Sequence, residues 1–475
     1  MNIIRGLVLC CLLVAWDTST NQGADTKPRP PNIIIIYADD LGYGDLGCYG
    51  HPTIRTPNLD RMAAQGMRFT SFYSAAPVCT PSRAALLTGR YPIRSGMCND
   101  RFRVLRNNST GHLPEGEITI AEALKTRGYA TGMVGKWHLG VWSINPEGHP
   151  CRHGFDFFFG LPHSNDMDPT AIAPERAAGR ADQDPSWWNA PLYLNEMLIE
   201  QPADQTQLTR RYTEEAIHFI HDHKEQPFFL YFAHTFPHVP LFASQTFSGK
   251  SRRGPYGDAV EELDWSVGRV LDVLQEEGLA GNTFVFFSSD NGPWLIQFAQ
   301  GGSAGLLRDG KGSTWEGGMR EPGIAWWPGR IKPNAVNRSI ACTMDLFTTS
   351  LTLAGAKVPD DRVIDGIDLT PTLLNDKASG RNVFFYYHDQ QLFAVRKGPF
   401  KAHLMTQAGY GQSKPELHDP PLLFDLEIDP GESYNVAAKY PEGVADLLKE
   451  VENHRALVKP AKSQLEEMAP PSQKP

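Results

Sequence analysis

The chain has 475 residues, of which 41% are hydrophobic, and its 45 basic and 54 acidic side chains give a formal net charge of −9. This size and composition fit one large folded domain with a smaller one, and they exclude a disordered or fibrous protein. No basic tail or block is present, which argues against a nucleic-acid partner. An anionic ligand would therefore need a local cluster of positive charge.

The N-terminus predicts a secretory signal peptide over residues 1–26. Arg5 precedes the apolar stretch 6–15, and polar and small residues follow as far as Thr26. The apolar stretch is too short to span a membrane. An uncleaved N-terminal anchor is the alternative, because no clean small-x-small pair marks a cleavage point. We therefore expect a secreted or periplasmic protein with no stable membrane span.

In chain order, apolar runs bounded by turn residues predict strands at 33–38, 130–134, 227–233 and 282–289. Helical patterns lie between them at 58–65, 83–88, 119–127, 208–223 and 257–277. Strands that alternate with helices predict an α/β fold, with a large, mostly parallel sheet flanked by helices. In such sheets ligands gather beyond the carboxyl ends of the strands.

The pattern changes near residue 345, where a helix at 346–354 and a loop precede shorter runs. These runs, at 383–387, 392–396, 400–404 and 422–426, predict a small antiparallel sheet with an amphipathic helix at 441–457 packed on it. We expect a large domain over 31–375, a small C-terminal α+β domain over 376–458 and a loose tail over 459–475. The proline-rich segment 166–205 is either a packed surface excursion or a substrate-binding lip.

Seven cysteines, at positions 10, 11, 48, 79, 98, 151 and 342, limit the disulfides that can form. Two lie in the predicted signal peptide and Cys79 is a candidate reactive residue. Cys48, Cys98, Cys151 and Cys342 remain, which allows at most two disulfides and three pairings of all four. Sequons at positions 107, 108 and 337 would accept glycans only in a cell that makes them.

Cys79 begins the run Cys-Thr-Pro-Ser-Arg, which Ala-Ala-Leu-Leu-Thr-Gly-Arg follows directly. Pro81 suits a helix start because it fixes φ and lacks an N–H group, Ser82 can cap, and Gly89 can end the helix. Free N–H groups at such a start favour an anion. From this pattern alone, Cys79 is either a thiolate nucleophile or a buried structural thiol.

Oxygen ligands follow two of the predicted strands. Asp39 and Asp40 come after the first, and Asp290 and Asn291 come after the run at 282–289. Carboxylate and amide oxygens suit calcium or magnesium better than zinc. Taken singly, an Asp-Asp pair after a strand is more often a turn or a helix cap than a metal site.

Positive and imidazole side chains follow other strands or occupy glycine-rich loops. Lys136 and His138 come after the run at 130–134, His238 lies in Thr-Phe-Pro-His-Val-Pro, and Lys311 stands between two glycines. Glycine there would let the backbone approach an anion. Solvated lysines beside histidines with ordinary hydrogen bonds are the alternative.

The run from Cys79 to Arg90 resembles the sulfatase signature, and Gly-Lys-Trp-His-Leu-Gly at 135–140 resembles the second signature of that family. From Pro31 to about Asp429 the chain is similar to the arylsulfatase A and N-acetylgalactosamine-6-sulfatase branch. The resemblance implies an alkaline phosphatase-like fold, a catalytic domain over 31–375 and hydrolysis of aryl or carbohydrate sulfate esters. It also implies that a formylglycine-generating enzyme converts Cys79 to formylglycine (3-oxoalanine), whose hydrate attacks sulfur and forms a covalent enzyme-sulfate intermediate.

The resemblance also assigns roles to the residues above. Five positions would hold one divalent cation, usually calcium: Asp39, Asp40, Cys79, Asp290 and Asn291. Arg83, Lys136, His238 and Lys311 would neutralise and bind the sulfate, Asp290 and His138 would accept protons, His238 or Lys311 would protonate the leaving group, and Ser164 would contact substrate.

Other functions stay open at this point. A phosphate mono- or diester hydrolase of the alkaline phosphatase superfamily would use serine or threonine and usually two zinc ions with several histidines. A cysteine phosphatase would need Cys-x5-Arg, whereas this chain has Cys-x3-Arg. An inactive carbohydrate-binding relative would need losses in the site. No cysteine follows Cys342, unlike in lysosomal members, so a secreted or periplasmic address is favoured over a lysosomal one; an oligomer is possible.

Overall fold

The computed structural model describes residues 29–175, 177–180 and 183–469. The predicted signal peptide and the last residues of the predicted tail lie outside this part of the chain. The strands are β1 (Asn32–Ala38), β2 (Met67–Tyr73), β3 (Ala130–Lys136), β4 (Phe157–Leu161), β5 (Leu192–Leu194), β6 (Met197–Glu200), β7 (Phe228–Ala233), β8 (Thr283–Ser289), β9 (Arg320–Trp326), β10 (Ala335–Asn337), β11 (Ala341–Cys342), β12 (Val383–His388), β13 (Gln391–Lys397), β14 (Phe400–Thr406) and β15 (Glu416–Asp425). The helices are α1 (Pro57–Gln65), α2 (Cys79–Thr88), α3 (Pro92–Ser95), α4 (Ile120–Lys125), α5 (Leu208–His223), α6 (Pro255–Glu276), α7 (Glu316–Met319), α8 (Asp345–Ala354), α9 (Thr370–Asn375) and α10 (Pro441–Leu457).

Eleven strands form one large sheet in the order β10-β2-β9-β8-β1-β7-β3-β4-β5-β6, with β11 also paired to β2. Strands β8, β1, β7, β3 and β4 run parallel to one another. Strand β9 is antiparallel to both of its neighbours, and β5 and β6 continue the far edge as antiparallel strands. The predicted α/β fold with a mixed, mostly parallel sheet is confirmed.

Strand β1 shows why the sheet is covered on both faces. Its run of four isoleucines is fully buried, and alternate members point into two different cores. Ile34 and Ile36 pack with residues of α1, α5 and α6, whereas Ile33 and Ile35 pack with residues of α2, α4 and α8. A continuous apolar run is typical of such a central parallel strand.

The parallel strands also end together. In the register of the sheet, Ala38 at the end of β1 pairs with Ser289 of β8, and Tyr37 pairs with Ala233 of β7. Gly135, one residue before the end of β3, pairs with the same Ala233. The segments that follow these strands therefore all leave the sheet at the carboxyl ends of the strands, where ligands of α/β proteins bind.

The predicted small antiparallel sheet is confirmed and has the order β12-β13-β14-β15. Helix α10 supplies Val444, Leu447 and Val451 to a core that the sheet shares with the large domain. Strand β15 is longer than the predicted run and contains two consecutive prolines. It lies at the sheet edge, where proline removes no required hydrogen bond.

The composition of the C-terminal tail predicts a loose segment, but residues 459–469 are attached to the large domain. The Ala461 and Gln464 N–H groups donate to the carbonyls of Ile93 and Gly96, each at 2.9 Å, and Thr110 N–H donates to the Glu467 carbonyl at 2.7 Å. Leu465 is fully buried. Backbone hydrogen bonds and the buried side chains of Leu465 and Ala469 attach this stretch despite its polar composition.

The four candidate disulfide cysteines are all free thiols in the structure. Neither of the two permitted disulfides is therefore formed. Of the sequon asparagines, Asn337 is only 6% exposed, and the Asn107 amide donates to the Met167 carbonyl at 2.8 Å. Those two side chains are engaged in the fold rather than presented to solvent.

The irregular segment after β4 contains the strands β5 and β6, which pair with each other. Trp188 is 3% exposed and belongs to the core beneath α5 and α6, and Trp187 packs against the same core. These contacts favour the packed surface excursion over a substrate-binding lip. In the part of the chain that the structure describes, no helix has the length and apolarity that a membrane crossing requires.

Candidate active site

Helix α2 begins at Cys79 itself and ends at Thr88, and Gly89 caps it with a φ of 68°, the left-handed conformation that glycine adopts without strain. Cys79 is 3% exposed. Ser82 does not cap the helix as predicted; its Oγ lies 3.1 Å from the Tyr37 hydroxyl. Burial raises the pKa of the Cys79 thiol, although Lys136 and Lys311 oppose this shift. The encoded side chain is therefore a neutral thiol, and the thiolate alternative is not supported.

Arg83 lies one turn into α2 and joins three strand ends. Its Nε and Nη2 donate to Asp290 Oδ2 at 3.0 and 2.8 Å, and its Nη1 donates to the Lys136 carbonyl at 3.0 Å. Nη2 also lies 3.6 Å from Asp39 Oδ1. Arg83, Asp39 and Asp290 are fully buried, so their charges act on one another with little screening by water.

Each of the two aspartates after β1 pairs with a different lysine. Lys136 Nζ donates to Asp39 Oδ2 at 2.5 Å. Lys311 Nζ donates to Asp40 Oδ2 at 2.8 Å. Burial alone would raise the pKa of Asp39, but Lys136 and other nearby positive charges outweigh it and hold that pKa well below its usual range. Asp39 is consequently ionised.

Burial raises the pKa of Asp290, and the charge of Asp39 adds to this effect, while Arg83 and Lys136 oppose it. Two buried carboxylates that share one site cannot both ionise freely without extra positive charge. Of Asp39 and Asp290, Asp290 therefore has the greater tendency to hold a proton.

Oxygen atoms suited to a cation converge here. The Asn291 amide N–H donates to Asp40 Oδ1 at 2.7 Å, so Asn291 Oδ1 takes no part in that hydrogen bond. Asn291 Oδ1 and Asp39 Oδ1 are buried and have no hydrogen-bond partner among the described residues. One ligand atom from each of Asp39, Cys79 and Asp290 lies within 4.8 Å of the others. Buried oxygen atoms that accept no hydrogen bond cost free energy. A hard divalent cation bound to these oxygens would remove that cost, so the oxygen ligands here fit such an ion.

His138 follows Lys136 and has a positive φ of 58°. Its Nε2 lies 3.0 Å from the Leu105 carbonyl oxygen, which only accepts, so Nε2 carries the proton and Nδ1 is the free acceptor. Nδ1 is buried without a hydrogen-bond partner among the described residues. Burial lowers the pKa of His138 far below its usual value. The ring is therefore a neutral base with one nitrogen available.

His238 and Ser164 lie beside Asp40. Nδ1 of His238 donates to the Val239 carbonyl at 2.5 Å, and the Ser164 hydroxyl is 3.4 Å from the same nitrogen. His238 Nε2 lies 3.6 Å from Asp40 Oδ2. Burial, together with Lys311, lowers the pKa of His238. His234 instead turns toward Ser266, with 3.4 Å between Nε2 and Oγ, and is not part of this cluster.

The structure thus brings together every residue that the sequence analysis proposes for the site. It also adds two aromatic residues that sequence patterns did not indicate. The ring of Trp294 lies 4.4 Å from Lys311 Nζ and 5.4 Å from the His238 ring, and Tyr410 lies 5.6 Å from Trp294. The position of Trp294, three residues after Asn291, was an available signal. Nothing near Tyr410 in the sequence connects it with the site.

Comparison with known proteins identifies the family. The family model described as Sulfatase matches residues 31–356, and the model described as the C-terminal region of aryl-sulfatase matches residues 379–475. The chain belongs to the sulfatase family. Arylsulfatase A of Homo sapiens is 46% identical to this sulfatase over 89% of the chain and 87% of its own length. N-acetylgalactosamine-6-sulfatase of Homo sapiens is 44% identical over 94% of the chain and 89% of its own length.

Among solved structures, the PsFucS1 sulfatase from Pseudoalteromonas sp. has a TM-score of 0.79 and 31% identity, with 90% of each chain covered. The predicted resemblance to the arylsulfatase A and N-acetylgalactosamine-6-sulfatase branch is confirmed. As a sulfatase the protein is a sulfuric ester hydrolase, and its family generally uses formylglycine and a divalent metal ion.

Proposed function

We propose that this sulfatase removes sulfate from aryl or carbohydrate esters, using formylglycine derived from Cys79 and one Ca²⁺ ion. The observation that carries the proposal is the convergence of three positive side chains on one buried cysteine. Arg83, Lys136 and Lys311 surround Cys79. Each of them also forms an ion pair with an aspartate, so part of their positive charge is balanced. Such an arrangement stabilises an anionic ester and the charge that develops as it is cleaved.

Asp39, Asp40, Asp290 and Asn291 would hold the cation, with the modified residue 79 beside them. When bound, the ion acts as a Lewis acid that withdraws charge from a sulfate oxygen. Its binding would also satisfy the buried oxygens of Asp39 and Asn291 that otherwise have no partner. The all-oxygen donor set supports Ca²⁺ over zinc.

Proton transfer would be divided between two bases. The hydrated aldehyde offers one hydroxyl for attack on sulfur and a second whose deprotonation expels the sulfate. Asp290, in its ionised form, would accept the proton of the attacking hydroxyl. His138 accepts the second proton at Nδ1, which is free because Nε2 is committed to the Leu105 carbonyl.

The leaving oxygen would be protonated by Lys311, or by His238 once its Nε2 has taken up a proton, because Nδ1 carries the proton of the neutral ring. Both lie beside Asp40, and both contact the Trp294 ring. The Val239 carbonyl fixes the orientation of the imidazole so that Nε2 faces the site. Ser164, at the other side of that ring, would position His238 and contact substrate.

The names of the relatives support two substrate types, aryl sulfates and N-acetylgalactosamine 6-sulfate esters. Maturation would require a formylglycine-generating enzyme. We infer a secreted or periplasmic address from the predicted signal peptide, with a lysosomal address as the alternative, and an oligomer is compatible with the proposal.

A phosphate esterase is the competing function. Within the described ranges, two groups of three side chains could share a metal ion, and only one contains a histidine. This shortage of histidine ligands argues against a site with two zinc ions and several histidines. The test is a screen of protein co-expressed with a formylglycine-generating enzyme against p-nitrophenyl sulfate and sulfated sugars, with the matching phosphate esters as controls. We expect sulfate cleavage to dominate; dominant phosphate cleavage would overturn the proposal.

A further inference from the structure

We propose that the pocket between the segment 43–52 and the loop 302–307 binds an organic anion, a single negatively charged group on an aromatic body. The pocket has a volume of about 810 Å³, which lies within the range of small-molecule pockets in proteins. None of the described residues assigned above to the sulfate or to the cation lines it. The inference therefore concerns a second site and does not rest on the proposed function.

Two arginines line the pocket, and the described residues of its lining include neither an aspartate nor a glutamate. Arg320 is 9% exposed. Its Nε donates to the Thr70 carbonyl at 2.6 Å and its Nη1 lies 3.4 Å from Glu316, so Nη2 is left without a partner among the described residues. Glu316 also pairs with Lys401 at 3.0 Å, and one carboxylate cannot balance two cations. Arg320 therefore brings a free donor and unbalanced positive charge to the pocket.

Arg253 and His51 supply further donors. Nη1 and Nη2 of Arg253 donate to the carbonyls of Ala299 and Gly301 at 2.7 and 2.8 Å, which fixes the guanidinium and leaves Nε without a partner in the described part of the chain. The Ile54 N–H donates to His51 Nδ1 at 2.9 Å, so Nε2 carries the proton of the neutral ring and can donate. Burial and Arg253 lower the pKa of His51, which favours that neutral ring.

The side-chain oxygens near the pocket are engaged elsewhere. The hydroxyls of Tyr43 and Tyr49 donate to the carbonyls of Thr70 and Phe69 at 3.2 and 2.7 Å. Asp45 lies behind the wall, is fully buried, and accepts hydrogen bonds from two backbone N–H groups and a tyrosine hydroxyl. A ligand would therefore meet free side-chain donors of positive charge, which favours an anion over a cation.

The rest of the lining is apolar. The rings of Tyr43 and Tyr49 lie 4.9 Å apart in an edge-to-face arrangement, and Leu306, Leu307 and two prolines complete the wall. Leu306 is 83% exposed, so covering it with an apolar group would remove hydrophobic surface from water. An aromatic body fits such a wall because it can also pack against the tyrosine rings.

An occupant would bridge two loops that also serve the catalytic site. The segment 43–52 follows Asp40 along the chain, and the loop 302–307 precedes Lys311. A Cβ atom at Gly44 would lie 2.6 Å from a backbone nitrogen of the loop 302–307, so the two loops are in direct contact. A bound anion would hold these loops together without touching the reacting groups.

Leu306 allows a test that keeps the fold, because its side chain is largely exposed. Leu306→Asp places a negative charge at the pocket, and Leu306→Lys places a positive charge at the same point. Arg253→Gln removes one of the proposed donors. Leu417→Asp is the matched control, because Leu417 is 74% exposed and does not line the pocket.

The experiment is isothermal titration calorimetry of the full-length protein with 2-naphthoate, and with 2-naphthylmethanol as the uncharged analogue. We expect naphthoate to bind with a Kd of about 1 mM or tighter and the alcohol to bind at least about tenfold more weakly. Leu306→Asp and Arg253→Gln should each weaken naphthoate binding about tenfold. Leu306→Lys should bind naphthoate more tightly than Leu306→Asp does, and Leu417→Asp should match the wild type.

Equal binding of naphthoate and the alcohol would overturn the inference, because the pocket would then select only apolar bodies. Unchanged naphthoate binding in Leu306→Asp would also overturn it, since the ligand would then lie elsewhere, and so would the absence of naphthoate binding to the wild type. If Arg253→Gln shows no cooperative thermal transition, the two Leu306 variants still decide. Hydrolysis of sulfate esters stands or falls separately from each of these results.

Discussion

Replacing Lys401 by methionine should destabilise the protein more than any surface lysine substitution does. Lys401 is fully buried at the junction of the small sheet and the large domain. Its Nζ donates to the Thr314 carbonyl at 2.8 Å and forms ion pairs of 3.0 Å with Glu316 and with Glu432. Lys401→Met keeps the apolar stem and leaves both carboxylates without their shared cation.

The expected loss follows from what remains around the two carboxylates. Breaking a buried ion pair costs about 3–5 kcal/mol. The hydroxyls of Tyr73 and Tyr386 still donate to Glu316, and His403 lies 2.6 Å from Glu432. We therefore expect the lower end, about 3 kcal/mol.

Urea titration followed by tryptophan fluorescence measures this loss, since Trp315 lies 4.4 Å from the His403 ring within the same cluster. Lys449→Met, on an exposed position of α10, is the control and should change the free energy of unfolding by less than about 0.5 kcal/mol. Adding Glu432→Gln to Lys401→Met should cost less than the two single losses summed. A loss below about 1 kcal/mol in Lys401→Met would refute the reasoning.

Three further predictions concern pH, the metal and the nucleophile. Burial and Arg94 lower the pKa of His454 from 6.5 to about 4. The contribution of neutral His454 to the free energy of unfolding is therefore fully present above pH 6.5 and is lost as the pH falls from 6.5 through 4, a change of about 3 kcal/mol. His454→Phe, which keeps the stacking on Phe385 at 3.7 Å, should show a smaller loss of unfolding free energy between those pH values; identical pH profiles would contradict this. Chelation should lower the Tm and stop turnover, and added Ca²⁺ should restore both; a chelated enzyme that keeps its Tm and activity would exclude the proposed ion. Cys79→Ser has no second hydroxyl to expel sulfate, so labelled substrate should leave sulfate bound stoichiometrically, and full turnover by this variant would sink the mechanism.

Much of the fold could be predicted from the sequence, because central parallel strands are apolar on both faces. Strands β1, β7 and β8 lie within about one residue of their predicted bounds, and α5 and α10 have the predicted bounds. Strands β2 and β9 were not predicted. Charged residues interrupt their apolar patterns, and the contact that accommodates one of them joins distant parts of the chain, because Arg320 donates to the Thr70 carbonyl at 2.6 Å.

The site shows the same division between local and distant information. Local motifs indicated the residues that the structure brings together at the site, but the motifs do not contain the pairing of Lys136 with Asp39 and Lys311 with Asp40. The contact between Arg103 and Gly409 was also not predictable, because these residues meet only after the C-terminal domain packs against the large domain. Contacts between residues some 300 positions apart leave no periodicity in the sequence.

The central claim is that Cys79, once converted to formylglycine, is the nucleophile. Mass spectrometry of the peptide that contains residue 79, on preparations made with different amounts of formylglycine-generating enzyme, tests it most directly when kcat is measured on the same samples. The account predicts that turnover of sulfate esters rises in proportion to the converted fraction and is absent when the thiol is unmodified. Full activity with an unmodified Cys79, or no activity at complete conversion, would contradict it.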